Sequence, residues 1–317
     1  YEDKKIKTEE NIFNKKDIIP LHYLGSQMSI RLIYSIEKEE LFILKRFFTS
    51  NDEPKNKLFE RERKHYLSIQ HPFIPKYFGY SDYGIDKYLI IEYIEGNSLE
   101  RLRSNIDLNI ESKMKIIFEM MIVIEYLHDN GFVHRDLKPD NFILCKDNKT
   151  IVLIDFDRMV RNGDEVHSAS TKNFASSYIP PEIFDASAKN YSFSIDIYSL
   201  GLIIYFILFG KEPEININNN RKKIIFNGFS EKYSDFKFIC EKCINDDPSK
   251  RPPISELIDI FYINFMLKIE KCFEKSKISC DFFSFDKSFP YWLFIDEYNN
   301  ETLQEKLGIK YKENVDI

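Results

Sequence analysis

The chain has 317 residues, with 45 Lys and Arg against 51 Asp and Glu and a net charge of -6. That balance excludes a broad basic field for nucleic acid. Five cysteines, odd in number and scattered, read as reduced thiols of an intracellular, cytoplasmic protein, with the nucleus left open, rather than as a disulfide framework.

Residues 1–19 are charged and lack an apolar period, so they read as an extension, and no signal segment is legible in them. Strand-like runs follow at about 21–25, 30–35, 41–47, 76–81 and 88–93, which predicts a small antiparallel sheet. Between the first two lies Gly25-Ser26-Gln27-Met28-Ser29-Ile30-Arg31-Leu32, with a single leading glycine. The third, Phe42-Ile43-Leu44-Lys45, is apolar and ends in one lysine. A charged helical segment, Phe59 to Leu67, leads to Gln70-His71-Pro72, where proline stops the helix.

After Glu92-Tyr93-Ile94 the pattern turns helical, most clearly from Ile110 to Leu127. Next comes His134-Arg135-Asp136-Leu137-Lys138-Pro139-Asp140-Asn141, a carboxylate, an ammonium and an amide at fixed offsets. The apolar run Ile151-Val152-Leu153-Ile154 reads as a buried strand delivering Asp155-Phe156-Asp157 at its end. Further on stand Tyr178-Ile179-Pro180-Pro181-Glu182 and Asp247-Pro248-Ser249-Lys250-Arg251-Pro252. The run Ile197 to Phe209, headed by Asp196, is too short to span a membrane and reads as a helix through the middle of a lobe. Cys240-x-x-Cys243 has metal-knuckle spacing without a second pair nearby, so helical core is the reading preferred. Beyond residue 268, Phe282, Phe283, Phe285, Phe289, Tyr291, Trp292 and Phe294 concentrate aromatics that water would not tolerate bare. That tail is expected to dock on its own chain or on a partner.

The order of these motifs resembles the protein kinase superfamily, over roughly residues 20–268. The resemblance implies an α+β bilobal fold: an N-lobe at 20–93 with a small antiparallel sheet and one main helix, a larger and mostly helical C-lobe at 94–268, and a tail at 269–317. It implies ATP and Mg2+ as cofactors and a protein as acceptor, the Pro-Pro-Glu and Arg251 elements belonging to peptide-handling members. By that resemblance Asp136 takes or orients the hydroxyl proton and Lys138 faces the transferred phosphoryl group. Lys45 serves the α/β-phosphates and is oriented by Glu62 rather than Glu60. Asn141 and Asp155 are the magnesium ligands, in keeping with the preference of that hard cation for oxygen. Leu24, Gly25, Leu32, Ile43, Ile91, Glu92, Ile94 and Ile143 would surround the nucleotide, with core packing the competing reading for the apolar ones. Asp196 would anchor the catalytic loop, Glu182 would pair with Arg251, and Phe156 would pack beneath the helix carrying Glu62. Arg135 would take an anion on the activation segment, with Ser168, Ser170 and Thr171 as candidate acceptors among its hydroxyls. Lys138 points to a serine/threonine kinase in intracellular signalling, although Ala175 stands where such kinases commonly carry threonine.

Three departures from the family pattern bear on activity. Gln27 and Ile30 replace glycines that let backbone amides approach phosphate. Ile43 replaces a small alanine and narrows the adenine slot. Asp157 replaces the glycine of the metal-binding triplet, which either restricts its switching or adds a metal-facing carboxylate. All six groups expected to touch phosphate, metal or proton are nevertheless present, so an active serine/threonine kinase is the reading adopted. The alternative is a pseudokinase acting as a nucleotide-binding or scaffold module.

Overall fold

Short runs rich in Ile, Leu, Phe and Tyr build the first sheet of the computed structural model, whose five antiparallel strands run in the order β1-β2-β3-β5-β4. The structure describes residues 18–24, 29–48, 53–83, 86–103, 108–146, 150–165, 177–184, 190–218, 221–230 and 233–262. The strands are β1 (Ile18–Tyr23), β2 (Ile30–Ser35), β3 (Glu40–Phe48), β4 (Tyr77–Tyr83) and β5 (Asp86–Glu92). On one face Ile33, Phe42 and Ile90 form a core at 0–1% exposure. On the other, register places Leu32 opposite Ile43 and Ile43 opposite Ile91, an apolar row across three strands.

β1 starts at Ile18, earlier than its hydrophobic pattern suggests, because β2 runs on to Ser35 and offers it a partner. The pairing slips between Pro20 and Tyr23. Proline has no N–H for the ladder, and a bulge on an edge strand is where it is tolerated.

Helix α1 (Glu53–Ser68) lies between β3 and β4 and ends four residues before Pro72. Its buried positions Phe59, Glu62, Tyr66 and, just past the helix, Ile69 recur at helical spacing, so a carboxylate sits within an otherwise apolar stripe.

The following part is mostly helical. α2 (Ile110–Asp129) begins where the side chain of Asn109 accepts the N–H of Ser112 at 2.9 Å. Three short strands, β6 (Gly96–Ser98), β8 (Phe142–Cys145) and β9 (Ile151–Leu153), make one small sheet in the order β6-β8-β9. β7 (Phe132–Val133) pairs with β10 (Val160–Arg161). These ladders fix the site: β7 leads into His134, Asn141 leads into β8, and β9 leads into Asp155.

α3 (Ser194–Phe209) is buried without a break from Ile195 to Ile207, as its all-round apolar sequence requires. It stops at Gly210, whose φ of 66° is the left-handed cap that glycine adopts without strain. No helix among the described residues is long and apolar enough to cross a membrane. A hairpin of β11 (Glu214–Asn218) and β12 (Arg221–Ile225) follows, then α4 (Ser234–Cys243). Cys240 and Cys243 face the core of α4 as free thiols at 0% exposure, and burial pushes the Cys243 thiol up to about 12.

The chain divides into two compact units, Tyr1–Pro253 and Ile254–Ile317. Of the second, the described part is α5 (Ile254–Phe261), with Ile254, Leu257, Ile258 and Phe261 buried at the spacing of one helix face.

α3 and α4 approach so closely at Gly201 that an added β-carbon would lie 2.5 Å from Cys243 Cβ. Gly201→Ala gains about 1 kcal/mol of helix propensity. The clash between two rigid backbones costs about 1–3 kcal/mol, so chemical denaturation should find the variant less stable than wild type and Gly201→Val less stable still.

Candidate active site

Lys45 lies two residues beyond Ile43 on β3, so it shares the face of the apolar row. Its Nζ donates to Glu62 Oε1 and to Asp155 Oδ1, both at 2.7 Å. Burial opposes its charge, but Asp155 and Glu62 outweigh burial and hold the ammonium well above its usual range. Burial likewise acts to raise Asp155, yet Lys45 keeps that carboxyl below the ordinary value. Glu62, at 0% exposure, is pushed up to about 7 by burial, with Lys45 opposing. Its second oxygen has no hydrogen-bond partner among the described residues.

The segment after β7 is pinned from below. Asp196 at the head of α3 is fully buried and accepts the backbone N–H groups of His134 at 2.8 Å and Arg135 at 2.9 Å. His128 Nε2 lies 3.0 Å from the same carboxylate. Those bonds hold Arg135 at φ 68°, a left-handed conformation worth about 1–3 kcal/mol of strain in a residue other than glycine. Asp155 carries a second such angle, φ 71°. Lys138 Nζ donates to Asp136 Oδ2 at 2.7 Å, and Asn141 Nδ2 donates to the Asp136 carbonyl at 2.7 Å and to its Oδ2 at 3.2 Å. The amide nitrogen of Asn141 is thereby committed to Asp136, which leaves its Oδ1 as an acceptor turned elsewhere.

These two halves share one electrostatic neighbourhood. Lys138 and His134 act on Asp155, and Asp136 acts on Asp157. Asp157 itself is raised by burial and by the charge of Asp155 beside it. Its Oδ1 is buried and has no hydrogen-bond partner among the described residues. Lys45, Glu62, Asp136, Lys138, Asn141 and Asp155 therefore converge, with Asp157 among them.

A column of rings backs the site. Tyr77 stacks on Tyr66 at 5.9 Å, Tyr66 meets the edge of Phe156 at 5.4 Å, and Phe156 meets His134 at 5.5 Å. The peptide of His134 then continues to Asp196. Sequence reasoning reached Phe156 and Asp196 but passed over Tyr66 and Tyr77. The available signal was the aromatic four residues, one helical turn, after Glu62.

Among the other sequence candidates, Leu32, Ile43 and Ile91 form the apolar row described above, and Leu24 donates its N–H to the Ile30 carbonyl at 2.9 Å. Ile143 sits on β8 opposite Val152. Glu92 is tied at its backbone N–H and its side chain to Lys76, each at 2.9 Å, and Ile94 follows it half-buried. The guanidinium of Arg135 lies 4.0 Å over the ring of Tyr191. Arg251 grips Glu182 with two nitrogens at 2.6 and 2.9 Å, and also donates to the carbonyls of Ser194 and Asn245. Gly25, Ser168, Ser170, Thr171 and the aromatic tail at 269–317 lie outside the described residues.

A family model described as protein kinase domain matches residues 24–263. The chain belongs to that family. The bilobal α+β kinase fold accounts for the antiparallel sheet with α1 and for the helical part that follows. The chain is 34% identical over 175 residues to an Aurora kinase of Debaryomyces hansenii, covering 53% of this chain and 41% of that protein. It is 28% identical over 193 residues to the serine/threonine-protein kinase ppk34 of Schizosaccharomyces pombe, covering 56% and 52%. With serine/threonine-protein kinase D of Synechocystis it shares 30% identity over 229 residues, covering 68% and 45%. The chain thus spans about half the length of the curated relatives it matches.

The Glu182–Arg251 pair gives a stability test, since the Arg251 side chain is 0% exposed and Glu182 only 22%. Removing one member of a buried pair strands the other, at a cost of about 3–5 kcal/mol. In chemical denaturation Arg251→Met and Glu182→Gln should each lower the unfolding free energy by that amount, and the double variant by less than the sum.

Proposed function

We propose that this kinase domain binds ATP with Mg2+ and transfers the γ-phosphoryl group to serine or threonine hydroxyls of a protein. The observation that carries the reading is Lys45 held between Glu62 and Asp155, with Lys138 acting on Asp155, Asp136 acting on Asp157 and Asn141 bonded to Asp136.

The residues suit the cofactors. Asp155 and Asn141 offer oxygen donors, and the unpartnered Asp157 Oδ1 and the crowding of Asp155 with Asp157 favour a cation there. Among the described residues no group of three or more His, Cys, Asp or Glu is arranged to hold a metal by itself. That agrees with Mg2+, which binds through one or two protein oxygens and completes its shell with phosphate and water. The row Leu32, Ile43 and Ile91 offers an apolar face to a purine. When bound, ATP with its metal supplies the transferable phosphoryl group and neutralises its charge.

The chain's own residues do the rest. Asp136, buried and oriented by Asn141 and Lys138, accepts the proton of the attacking hydroxyl. Lys138 is half-free in its geometry, one bond to Asp136 leaving two ammonium hydrogens for the transferred group. Lys45 meets the nucleotide's phosphates, and Glu62 keeps it from folding onto Asp155 alone. Serine/threonine acceptors are supported by Lys138 and by the names of the relatives. Control by an anion is supported at Arg135, where burial and the nearby charges of Arg61 and Arg158 disfavour its own charge. A phosphate on Ser168, Ser170 or Thr171 would relieve that crowding.

The scaffold reading draws on Gln27, which lies outside the described residues, on Ile30 at the start of β2 and on Ile43 at the centre of the apolar row. Purified protein with labelled ATP, Mg2+ and a generic basic protein separates the two. Transfer should be seen and should fall at least about 100-fold in Asp136→Asn, the range lost with a general base. Wild type and Asp136→Asn indistinguishable would leave the scaffold. ATP with Mg2+ should also raise the melting temperature of wild type more than of Lys45→Met, because only the native site binds.

A further inference from the structure

We propose that Arg61 and His65 are positioning residues that clamp the backbone of the Asp155-Phe156-Asp157 triplet to helix α1. The proposal deepens the kinase reading and rests on it for its catalytic meaning. Each residue of the triplet has its own tie to the helix. Asp155 is reached through Lys45 and Glu62. Phe156 is reached twice, by the ring of Tyr66 at 5.4 Å and by His65 Nδ1, which donates to the Phe156 carbonyl at 2.9 Å. Asp157 is reached by Arg61 Nη2, which donates to its carbonyl.

Arg61, Glu62, His65 and Tyr66 stand at i, i+1, i+4 and i+5, so one face of α1 carries all four contacts. The direction of the His65 bond follows from chemistry. A carbonyl only accepts, so Nδ1 carries the hydrogen, and burial lowers this imidazole to about 4, which keeps it neutral. The ring is further held against the edge of Phe132 at 5.9 Å.

The clamp acts on peptide groups, which gives it a particular logic. Phe156 is 0% exposed, so its carbonyl has no water to turn to if the triplet rotates or α1 tilts away. Such a movement leaves a buried acceptor unpaired and an imidazole N–H with it. The Arg61 bond lies at the surface, where water competes, and is the weaker of the two. Together they align helix and triplet, and the alignment is what brings Glu62, Lys45 and Asp155 into line. Asp157 stands where the family pattern has glycine, so the triplet has lost backbone freedom at the residue whose carbonyl Arg61 grips.

The test is hydrogen exchange on the nucleotide-free full chain, read by mass spectrometry, with steady-state kinetics beside it. His65→Leu removes the donor and His65→Asn keeps one near the Nδ1 position. Arg61→Met, at an exposed site, keeps the stem without the guanidinium and is safe for folding. Exchange at 155–159 and along 58–68 should rise about tenfold in His65→Leu and about threefold in Arg61→Met, while segments of α3 stay as in wild type. His65→Asn should return most of the protection, and kcat/KM for ATP should follow the same order.

Unchanged exchange in both His65→Leu and Arg61→Met would overturn the clamp. So would equal loosening in His65→Asn and His65→Leu, which would mean that ring packing rather than the donor matters. Should wild type transfer no phosphate, the kinetic arm reports that failure alone, and exchange still decides whether helix and triplet are clamped.

Discussion

Buried carboxylates do not share a cleft without a cation between them. Glu62 and Asp155 come from a helix and a strand end 93 positions apart in the chain, Glu62 fully buried and Asp155 half-buried. Lys45 satisfies both at 2.7 Å, and its charge favours the ionised forms of Asp155, Glu62 and Asp157 alike. The sheet supplies the ammonium, α1 supplies one acid and the loop after β9 supplies the others. Each of these three elements is thus placed partly by electrostatics and only partly by apolar packing.

Much of this arrangement is legible in the primary order and some of it is not. Strands β2, β3 and β5 are legible as short runs rich in Ile, Leu, Phe and Tyr, and α3 is evident because no face of it meets water. Lys45, Asp136, Asn141 and Asp155 are readable because their chemistry is rare and their offsets are fixed. The hairpin β11–β12 is absent from the sequence expectations, although Glu-Ile-Asn-Ile-Asn alternates with period two. The ring column was not read either, since Tyr77 and Tyr66 touch through the packing of a helix on a sheet. The ties from Arg61 and His65 are harder still, because their acceptors are main-chain carbonyls and every residue has one.

Among the described residues Glu39, Arg135 and Asp155 carry positive φ, and the latter two belong to this site. Neither is glycine, and each is held by bonds from outside its own segment: Arg135 by Asp196, Asp155 by Lys45. Strain of this kind persists only where the surroundings over-determine it. Here the surroundings are a helix buried in the core for Arg135 and an ion pair for Asp155.

The sulfur atoms add a practical consequence. Cys240 and Cys243 are shielded on α4 with their protons firmly kept, whereas Cys145 on β8 is partly open to solvent. Among the described cysteines an alkylating reagent therefore meets a reachable thiol at 145 and two that surface only when α3 and α4 part. The rate at which those two acquire a label is a clock for opening of the protein's interior, legible without any added dye or engineered probe.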